Sequence, residues 1–273
     1  MATPEAPLRE VLKSISFTQL PLRHIEPFFE AEKITAPRLY IYKRPKPAED
    51  QGLPTYDVEC LRLLALLKFA NYGFDQVYTN EPDGSPNGKL PYLLLPNGQA
   101  IDCDGIMAHL ENSGHKLPES SLASELAYCT MIKHSLVPAI EYLTWVDSAG
   151  FEAIGQNRYL REYPMVVQTI LGWFKSNDIA HDIQARQPEY GAALDGEVVC
   201  ENAQRTFDSL LTLLGDREYF ADTPGLLDAW AFACLNILIE APVSSPIRAL
   251  LLGRNSKYQP LVDYALRIME KYF

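Results

Sequence analysis

Tyr42 and Cys103 are the two residues of this chain whose types and positions could support thiol chemistry. Tyr42 ends a predicted first strand, where a hydroxyl could stabilise a bound thiolate. Cys103 lies at the start of a predicted helix, and a helix N-terminus lowers the pKa of a thiol. The carboxylates of Asp102 and Asp104 on either side raise that pKa. The sequence therefore favours a packed, inert cysteine over a nucleophile at position 103, and a strand residue over a catalytic one at position 42.

The other thiols and the imidazoles show no spacing that indicates a catalytic or metal site. The cysteines are far apart, lie in apolar or helical patterns and form no Cys-x-x-Cys pair. They are Cys60, Cys103, Cys129, Cys200 and Cys234. The histidines have neither metal-ligand spacing nor a place in a Ser-His-Asp or Cys-His arrangement, and no glycine-rich phosphate loop occurs. We therefore expect no catalytic residue, no cofactor, no metal, and free thiols in a reducing, cytosol-facing location.

Size and charge restrict the class of protein. The chain has 273 residues, 47% of them hydrophobic, which suffices for one or two ordinary cores. Its formal net charge of -11 argues against nucleic-acid binding. The longest apolar stretch, Leu226–Ile239, contains Asp228 and Asn236 and is shorter than the about 18 residues that a membrane-spanning helix needs. We therefore expect no transmembrane helix, and any residence at a membrane through a partner or a surface contact.

The segment from Gly88 to Leu110 predicts the second half of a thioredoxin-like domain. Gly88-Lys-Leu-Pro-Tyr-Leu-Leu-Leu leads to Asn97-Gly98, which predicts two short strands joined by a turn whose two central residues take positive φ. A helix is expected to begin around Asp102 and Asp104. Upstream, the pattern predicts a strand at Leu39–Tyr42, a helix at Asp57–Tyr72 and a strand at Phe74–Tyr78.

Every segment after Pro118 has helical periodicity. A long helix is expected from Ser121 to about Asp147, kinked at Pro138, because an interior proline removes a backbone donor and clashes with the preceding turn. Gln187–Glu197 is predicted to be a loop. The other predicted helices are Pro164–Ser176, Val198–Leu214 with Gly215 as its C-terminal cap, Leu226–Glu240, Pro246–Leu252 and Pro260–Tyr272.

A thioredoxin-like module followed by helices resembles the architecture of the glutathione-transferase superfamily. In that superfamily a Gly-x-x-Pro enters a strand as a cis-proline, a place that Pro91 fills here. A core helix starts with Ser or Thr three residues before an Asp, and Gly225 and Asp228 occupy these positions; glycine caps a helix only slightly worse. The expected fold class is α+β followed by all-α, glutathione-transferase-like. Its parts would be an N-terminal arm at 1–33, a thioredoxin-like domain at 34–114 and an all-helical domain at 115–273.

The residues that the superfamily uses for chemistry are missing from this chain. A glutathione transferase needs a hydroxyl or a thiol just after the first strand, and a helix N-terminus for the γ-glutamyl carboxylate. Here the strand runs into Tyr42-Lys-Arg-Pro, without a Ser-Pro or a Cys-Pro-x-Cys. Asp102 and Asp104 at the helix N-terminus would repel an anionic ligand. The sequence therefore predicts the fold without its enzymatic activity.

Five motifs in order resemble the metaxin family, and most closely its metaxin-2 branch. They are Leu53–Leu61, Ser85–Pro91, Glu141–Asp147, Leu227–Phe232 and Arg267–Phe273. The resemblance implies a non-enzymatic peripheral protein on the cytosolic face of the mitochondrial outer membrane, in the sorting and assembly machinery that inserts β-barrel precursors. It implies three partners: the membrane-embedded barrel core subunit, a second metaxin-like subunit and the β-barrel precursors. The β-signal of a precursor would be held by edge pairing or in a groove.

Two partner-binding surfaces are predicted. The first is the N-terminal arm, which would dock on the barrel subunit or back on its own domain. Its apolar residues are Leu20, Leu22, Phe28 and Phe29. The second is a basic island in an acidic chain, which would bind a partner or be a solvated loop. Its residues are Arg38, Lys43, Arg44 and Lys46.

Two other functions are compatible with the sequence. One is an active glutathione-dependent transferase that uses Tyr42 or Cys103, which retention on glutathione and conjugation activity would reveal. The other is a soluble transferase-like scaffold that binds translation or chaperone factors, which a wholly cytosolic pool would reveal.

Overall fold

A computed structural model of the chain describes residues 34–42, 53–115, 123–161, 163–186 and 194–273. The predicted N-terminal arm lies outside these residues, and so do Lys43, Arg44 and Lys46 of the basic island. Thr35–Phe273 forms one compact unit. The predicted boundary between a thioredoxin-like and an all-helical domain at 114/115 stays a prediction.

The N-terminal part is built on a four-stranded mixed sheet. Its strands are β1 (Arg38–Tyr42), β2 (Asp75–Thr79), β3 (Tyr92–Leu94) and β4 (Ala100–Asp102), in the spatial order β2-β1-β3-β4. β1 pairs in parallel with β2 and antiparallel with β3, and β3 pairs antiparallel with β4. Tyr40 lies opposite Tyr92, and their rings stack with centroids 4.6 Å apart. The predicted strands and their thioredoxin-like order are therefore confirmed.

Helix α1 (Val58–Phe69) connects β1 to β2 and is buried on nearly all sides. Asp57 caps it, because its Oδ1 accepts a hydrogen bond from the backbone N–H of Cys60 at 2.9 Å. Leu61 and Leu64 are fully buried, as are most of their neighbours. The apolar residues point in all directions because the sheet covers one side of the helix and C-terminal helices cover the other.

The turn between β3 and β4 differs from the predicted one. Gly98 has a φ of 84°, whereas the φ of Asn97 is negative. Pro96 precedes both residues and has no backbone N–H, so it cannot form the closing hydrogen-bonded pair with Gln99 that the predicted two-residue turn requires. A three-residue loop that ends on glycine results, and the N–H of Leu95 bonds the carbonyl of Gln99 at 2.9 Å. The peptide bond before Pro91 is cis, as the resemblance implied.

Helix α2 (Cys103–Asn112) begins directly after β4, which confirms the predicted start. Helix α3 (Ala123–Glu141) continues through Pro138 and passes directly into a π-helical segment. The remaining structured segments are α4 (Met165–Arg186), α5 (Gly196–Leu214), α6 (Leu226–Ile239), α7 (Pro246–Leu252) and α8 (Gln259–Tyr272).

The helix predicted to reach Asp147 changes type after Glu141. The chain continues in π-helical turns at Tyr142–Val146 and Phe151–Leu160, and a single helical turn at Ser148–Gly150 separates them. The N–H of Asp147 bonds a carbonyl five residues back, that of Tyr142, at 2.9 Å. Its side chain then caps the next turn, since it accepts a hydrogen bond from the N–H of Gly150 at 2.7 Å. The predicted end near Asp147 is therefore confirmed, whereas the change to π-helical turns and the helical segment at 148–160 were not predicted.

Helix α4 continues well beyond the predicted end at Ser176. Ile179 and Ile183 extend its apolar stripe and are buried. This stripe packs the helix against the π-helical segments, which explains the additional turns.

Helix α5 begins two residues earlier than predicted, at Gly196. Asp195 caps it, because its Oδ1 accepts a hydrogen bond from the N–H of Glu197 at 2.8 Å. The predicted loop at Gln187–Glu197 is therefore wrong at its C-terminal end. Gly215 ends the helix with a φ of 52°, as predicted.

Helix α6 is the buried centre of the C-terminal part. Asp228 fixes its start by accepting hydrogen bonds from the backbone N–H of Gly225 at 3.0 Å and from that of Phe220 at 3.1 Å. The hydroxyl of Tyr264 donates a third at 2.7 Å. Glycine at position 225 has no side chain to cap the helix, so Asp228 supplies the polar partner from inside the first turn.

Helix α1 packs against α6 and α8 and so joins the two parts of the fold. The guanidinium of Arg62 lies 4.6 Å from the ring centroid of Trp230 on α6, within cation–π range. The Nζ of Lys68 donates a hydrogen bond to the backbone carbonyl of Tyr272 on α8 at 2.8 Å. Helix α8 therefore covers part of helix α1.

Candidate functional site

The candidate thiol site lies where β1 ends and where α1 and α2 begin. Tyr42 is the last residue of β1, Cys60 lies in the first turn of α1, and Cys103 is the first residue of α2. The structure brings these side chains together around the carboxyl of Asp57, which raises the pKa values of both Tyr42 and Cys60. The predicted residues therefore do converge, and their electrostatics decide what they can do.

The Tyr42 hydroxyl is held in its protonated form. Burial is the main cause that raises its pKa to about 12, and the neighbouring Asp57 and Cys60 contribute to this rise. A general acid or base needs a pKa near the operating pH, and this environment moves the pKa of the Tyr42 hydroxyl away from that pH. The Tyr42 ring meets that of Tyr159 edge-on, with centroids 5.9 Å apart. These are the surroundings of a packed strand residue.

The Cys103 thiol is also held protonated, and its Sγ donates a hydrogen bond to the carbonyl of Pro91 at 3.6 Å. Burial raises the pKa of Cys103 to about 12, while the Arg62 guanidinium lowers it and nearby acids raise it slightly. The sequence attributed the raised pKa to the flanking carboxylates. The structure assigns most of it to burial, and Asp104 contributes little.

Cys60 is fully buried, and burial raises its pKa well above the ordinary value. The Asp57 carboxyl adds to this effect, since it disfavours a second negative charge beside it. A thiolate is the reactive form of cysteine. Neither thiol of the candidate site is therefore activated.

The N-terminus of α2 is occupied by the chain's own carboxylate. Oδ1 of Asp102 accepts a hydrogen bond from the N–H of Gly105 at 3.0 Å and thereby caps the helix. Asp104 in the first turn is exposed and adds a second negative charge. The N–H of Gly105 is already bonded to Asp102, and the carboxylates of Asp102 and Asp104 would repel an incoming carboxylate.

A depression of about 600 Å³ lies at the other end of α1. It is lined by the end of α1, the start of β2 and the end of α8, and Lys68 and Lys271 are its cations. The thiol positions are at the N-terminal end of α1, so the depression is separate from them. Across the described ranges, no three His, Cys, Asp or Glu side chains come together as a metal-ligand set. No described helix has the length and apolar character needed to cross a membrane.

Of the eight predicted partner-binding residues, the structure describes Arg38, which begins β1 and is partly buried. The other seven fall in the two undescribed stretches at 1–33 and 43–52. The interface hypotheses for the arm and the basic island therefore stay proposals.

The structure shows an exposed apolar face that the sequence analysis missed. It lies at the start of α4 and consists of Tyr163, Met165, Val166, Ile170 and Trp173. Sequence analysis assigned this segment to an ordinary helix of the helical domain. The available signal was the density of large apolar residues from Tyr163 to Phe174, which exceeds what one buried stripe requires.

Comparison with known proteins supports the family resemblance. Residues 60–175 match the family model Tom37, described as an outer mitochondrial membrane transport complex protein. Metaxin-1 from Mus musculus is 26% identical over 232 residues, covering 81% of this chain and 72% of the mouse protein. Metaxin-2 from Homo sapiens is 26% identical over 230 residues, covering 82% of this chain and 85% of the human protein. The chain is therefore similar to the metaxins and to the Tom37 family.

The fold of the chain is that of glutathione transferases. Residues 203–268 match the model of the glutathione S-transferase C-terminal domain. A glutathione transferase from Phanerochaete chrysosporium aligns with a TM-score of 0.55 at 13% identity, covering 87% of this chain and 98% of that one. A glutathione S-transferase from Ceriporiopsis subvermispora, in complex with glutathione, aligns with a TM-score of 0.55 at 14% identity, covering 85% and 97%. At these identities the likeness shows the fold alone, and the predicted fold class is confirmed.

Proposed function

We propose that the chain is a non-enzymatic peripheral subunit of the mitochondrial outer-membrane sorting and assembly complex. It would support recognition of the β-signal and membrane insertion of β-barrel precursors. Its partners would be the barrel core subunit, a second metaxin-like subunit and the precursors themselves, on the cytosolic face of the membrane. The observation that carries the proposal is the match of residues 60–175 to the family of an outer mitochondrial membrane transport complex protein.

The similarity to metaxins and to the Tom37 family supports the coarser statement, a role in protein import at the mitochondrial outer membrane. The candidate thiol site supports the non-enzymatic part. Burial raises the pKa values of Tyr42 and Cys103 to about 12 each, and Asp102 occupies the donor that a carboxylate ligand would need. A protein with the glutathione-transferase fold and this site still has a folded surface to which other proteins can bind.

A pull-down from mitochondria in mild detergent tests the assembly role. The full chain carries an affinity tag, and the proteins that remain bound are identified. We expect a membrane-embedded β-barrel protein and a second metaxin-like protein in the eluate. Recovery of cytosolic translation or chaperone factors alone, from a chain found wholly in the cytosol, would support the scaffold function instead and overturn the proposal.

A conjugation assay tests the absence of activity. The purified chain is mixed with glutathione and an electrophile, beside the variants Tyr42→Phe and Cys103→Ser. We expect turnover no faster than the uncatalysed reaction for all three proteins. Appreciable turnover that either substitution abolishes would show an active transferase.

The arm and the basic island are proposed as partner-binding surfaces. The double variant Phe28→Asp with Phe29→Asp tests the arm, and charge reversal at Lys43, Arg44 and Lys46 tests the island. We expect each to reduce co-purification of the barrel subunit, and Leu266→Asp, at an exposed leucine of α8, to leave it unchanged. Unchanged co-purification for a variant removes that surface from the proposal.

A further inference from the structure

We propose that the exposed apolar face at the start of α4 inserts into the headgroup layer of a zwitterionic phospholipid bilayer. The proposal goes beyond the partners named above, because it gives the chain a direct contact with lipid. It rests on the geometry of α4 and on the charge of the chain.

The first support is the exposure of the apolar side chains. Met165 is 76% exposed, Val166 is 69% exposed and Trp173 is 53% exposed. Ile170 and Tyr163 are also exposed. Single exposed apolar residues are ordinary, whereas several that share one side of a helix mark a contact surface.

The second support is that packing fixes the direction of this face. Val166, Ile170 and Trp173 recur at helical spacings of four and three, so they share one side of α4. Gly172, Ile179 and Ile183 lie on the opposite, buried side. The space above Gly172 is filled by the ring of Phe151, which holds α4 against the π-helical segment. Val166, Ile170 and Trp173 therefore point away from the body of the protein, whereas Met165, seven residues before Gly172, lies on the side of Gly172 at the exposed end of the helix.

The third support is charge. No aspartate or glutamate occurs from Tyr163 to Asn177, in a chain that contains 35 of them. A bilayer of zwitterionic lipid suits an uncharged apolar face on such a chain. A strongly anionic bilayer would repel the rest of the molecule, whose net charge is -11.

The fourth support is the size of the face and its composition. Five side chains are far fewer than the roughly 20–30 residues per side that a stable protein interface uses. Shallow insertion into lipid needs no complementary partner surface. Tyrosine and tryptophan are the residues that settle at the membrane–water interface, and Val166 and Ile170 would reach the acyl boundary between Tyr163 and Trp173.

The test is binding of the full chain to vesicles of phosphatidylcholine and phosphatidylethanolamine, followed by sedimentation. The patch variant is Val166→Asp with Ile170→Asp, because these two side chains share the outward side of α4. The matched controls are Leu266→Asp on α8 and Leu126→Asp on α3, which replace leucines of similar exposure elsewhere. We expect the patch variant to lose about tenfold or more in partitioning, because insertion scales with apolar area. The controls should bind like the wild type, and all variants should keep the wild-type melting temperature.

The depth to which Trp173 inserts into the bilayer is measured with the same vesicles containing brominated lipid, which quenches nearby tryptophan fluorescence. Trp230 is buried and Trp145 is partly buried, so Trp173 should dominate the quenching. We expect the quenched fraction to disappear in Trp173→Phe. Adding anionic lipid at low salt should weaken binding.

Three outcomes would overturn the proposal: no binding of the wild type to any vesicle, equal loss in the controls, or quenching that persists in Trp173→Phe. Loss of a protein partner from the patch variant, without vesicle binding by the wild type, would instead show a protein interface. Purified lipid contains none of the proposed protein partners. This test can therefore fail while the pull-down succeeds, and the reverse holds as well.

Discussion

At the scale of single residues, charge is readable from the sequence and burial is not. Asp102 and Asp104 flank Cys103 in the sequence, and from them an inert thiol was predicted. The raised pKa of Cys103 is what the structure shows, but its main cause is burial. Burial results from tertiary packing of segments far apart in the chain. The sequence therefore predicted the direction of the pKa shift from the flanking carboxylates, whereas burial is its main cause.

Alkylation measures the state of Cys103 directly. With a pKa of about 12, its thiolate fraction at pH 7.5 lies about 10³-fold below that of an exposed cysteine. We expect iodoacetamide to modify Cys103 more slowly than a free thiol by at least that factor, as followed by peptide mass spectrometry. Unfolding in urea is the control and should restore the ordinary rate. A fast native rate at Cys103 would contradict the assignment.

Glu141 gives a prediction of pH dependence. Burial raises its pKa above the ordinary value of 4.5, and Arg186 at 3.9 Å opposes this only partly. Its Oε2 has no hydrogen-bond partner within the described part of the chain. Because the folded pKa is higher than the unfolded one, the stabilisation is complete below pH 4.5 and is lost as the pH rises through the folded value.

The variant Glu141→Gln tests this pH dependence. We expect the unfolding free energy of the wild type, relative to that of the variant, to fall as the pH is raised from 4.5 to 7.5. The change should be less than about 1 kcal/mol, because solvent and Arg186 screen the charge. Urea denaturation across this pH range measures it. A relative gain for the wild type would mean that the ion pair with Arg186 dominates.

At the scale of elements, periodicity and capping residues predicted where the helices lie. They did not predict which segments are α-helical and which are π-helical. Asp57, Asp102, Gly215 and Asp228 predicted the ends of four helices close to where the structure places them. The π-helical turns at 142–160 were missed because hydrogen bonding five residues back leaves no distinct apolar pattern. The exposed start of α4 was also missed, because an apolar pattern does not show whether another element covers it.

Gly150 tests the junction between the π-helical segments. A Cβ at this position would collide with the backbone carbonyl of Leu143, which cannot rotate away. We expect Gly150→Ala to lower the unfolding free energy by about 1–3 kcal/mol. The matched control is Gly73→Ala, where a Cβ meets no atom within 4 Å, and its stability should be unchanged or slightly higher. Equal stability of the two variants would contradict the tight packing at Gly150.

Asp228 tests the start of α6. Asp228→Ala would leave two backbone N–H groups and the Tyr264 hydroxyl without their acceptor in the core. We expect a loss of about 3 kcal/mol in urea denaturation. Asp222→Ala, at an exposed aspartate nearby, should change stability by less than about 0.5 kcal/mol. A loss below about 1 kcal/mol for Asp228→Ala would show that water replaces the carboxylate.

At the scale of the whole molecule, α1 is the element that the two parts share. The sequence predicted a thioredoxin-like module and a set of helices separately. That Arg62 of α1 lies over Trp230 of α6 could not be predicted, because each residue alone fits an ordinary helix. Contacts between distant segments are set by packing, which single-segment patterns do not encode.

The shared role of α1 predicts how a fragment behaves. Residues 34–115 without α6 and α8 would expose the side of α1 that these helices bury. We expect this fragment to bind a hydrophobic dye and to melt without a cooperative transition, whereas the whole chain melts cooperatively. Circular dichroism and dye fluorescence measure both properties. A sharp melting transition of the fragment would show that the module is independently stable.

The hydrogen bond from Lys68 to the carbonyl of Tyr272 joins residues 204 positions apart in the chain. A ribosome adds about 5–20 residues per second, so α1 is synthesised roughly 10–40 s before the segment that covers it. During that interval its leucines lack their final cover, and exposed apolar surface promotes aggregation. Newly made chains are therefore expected to be held by chaperones until synthesis has passed α8.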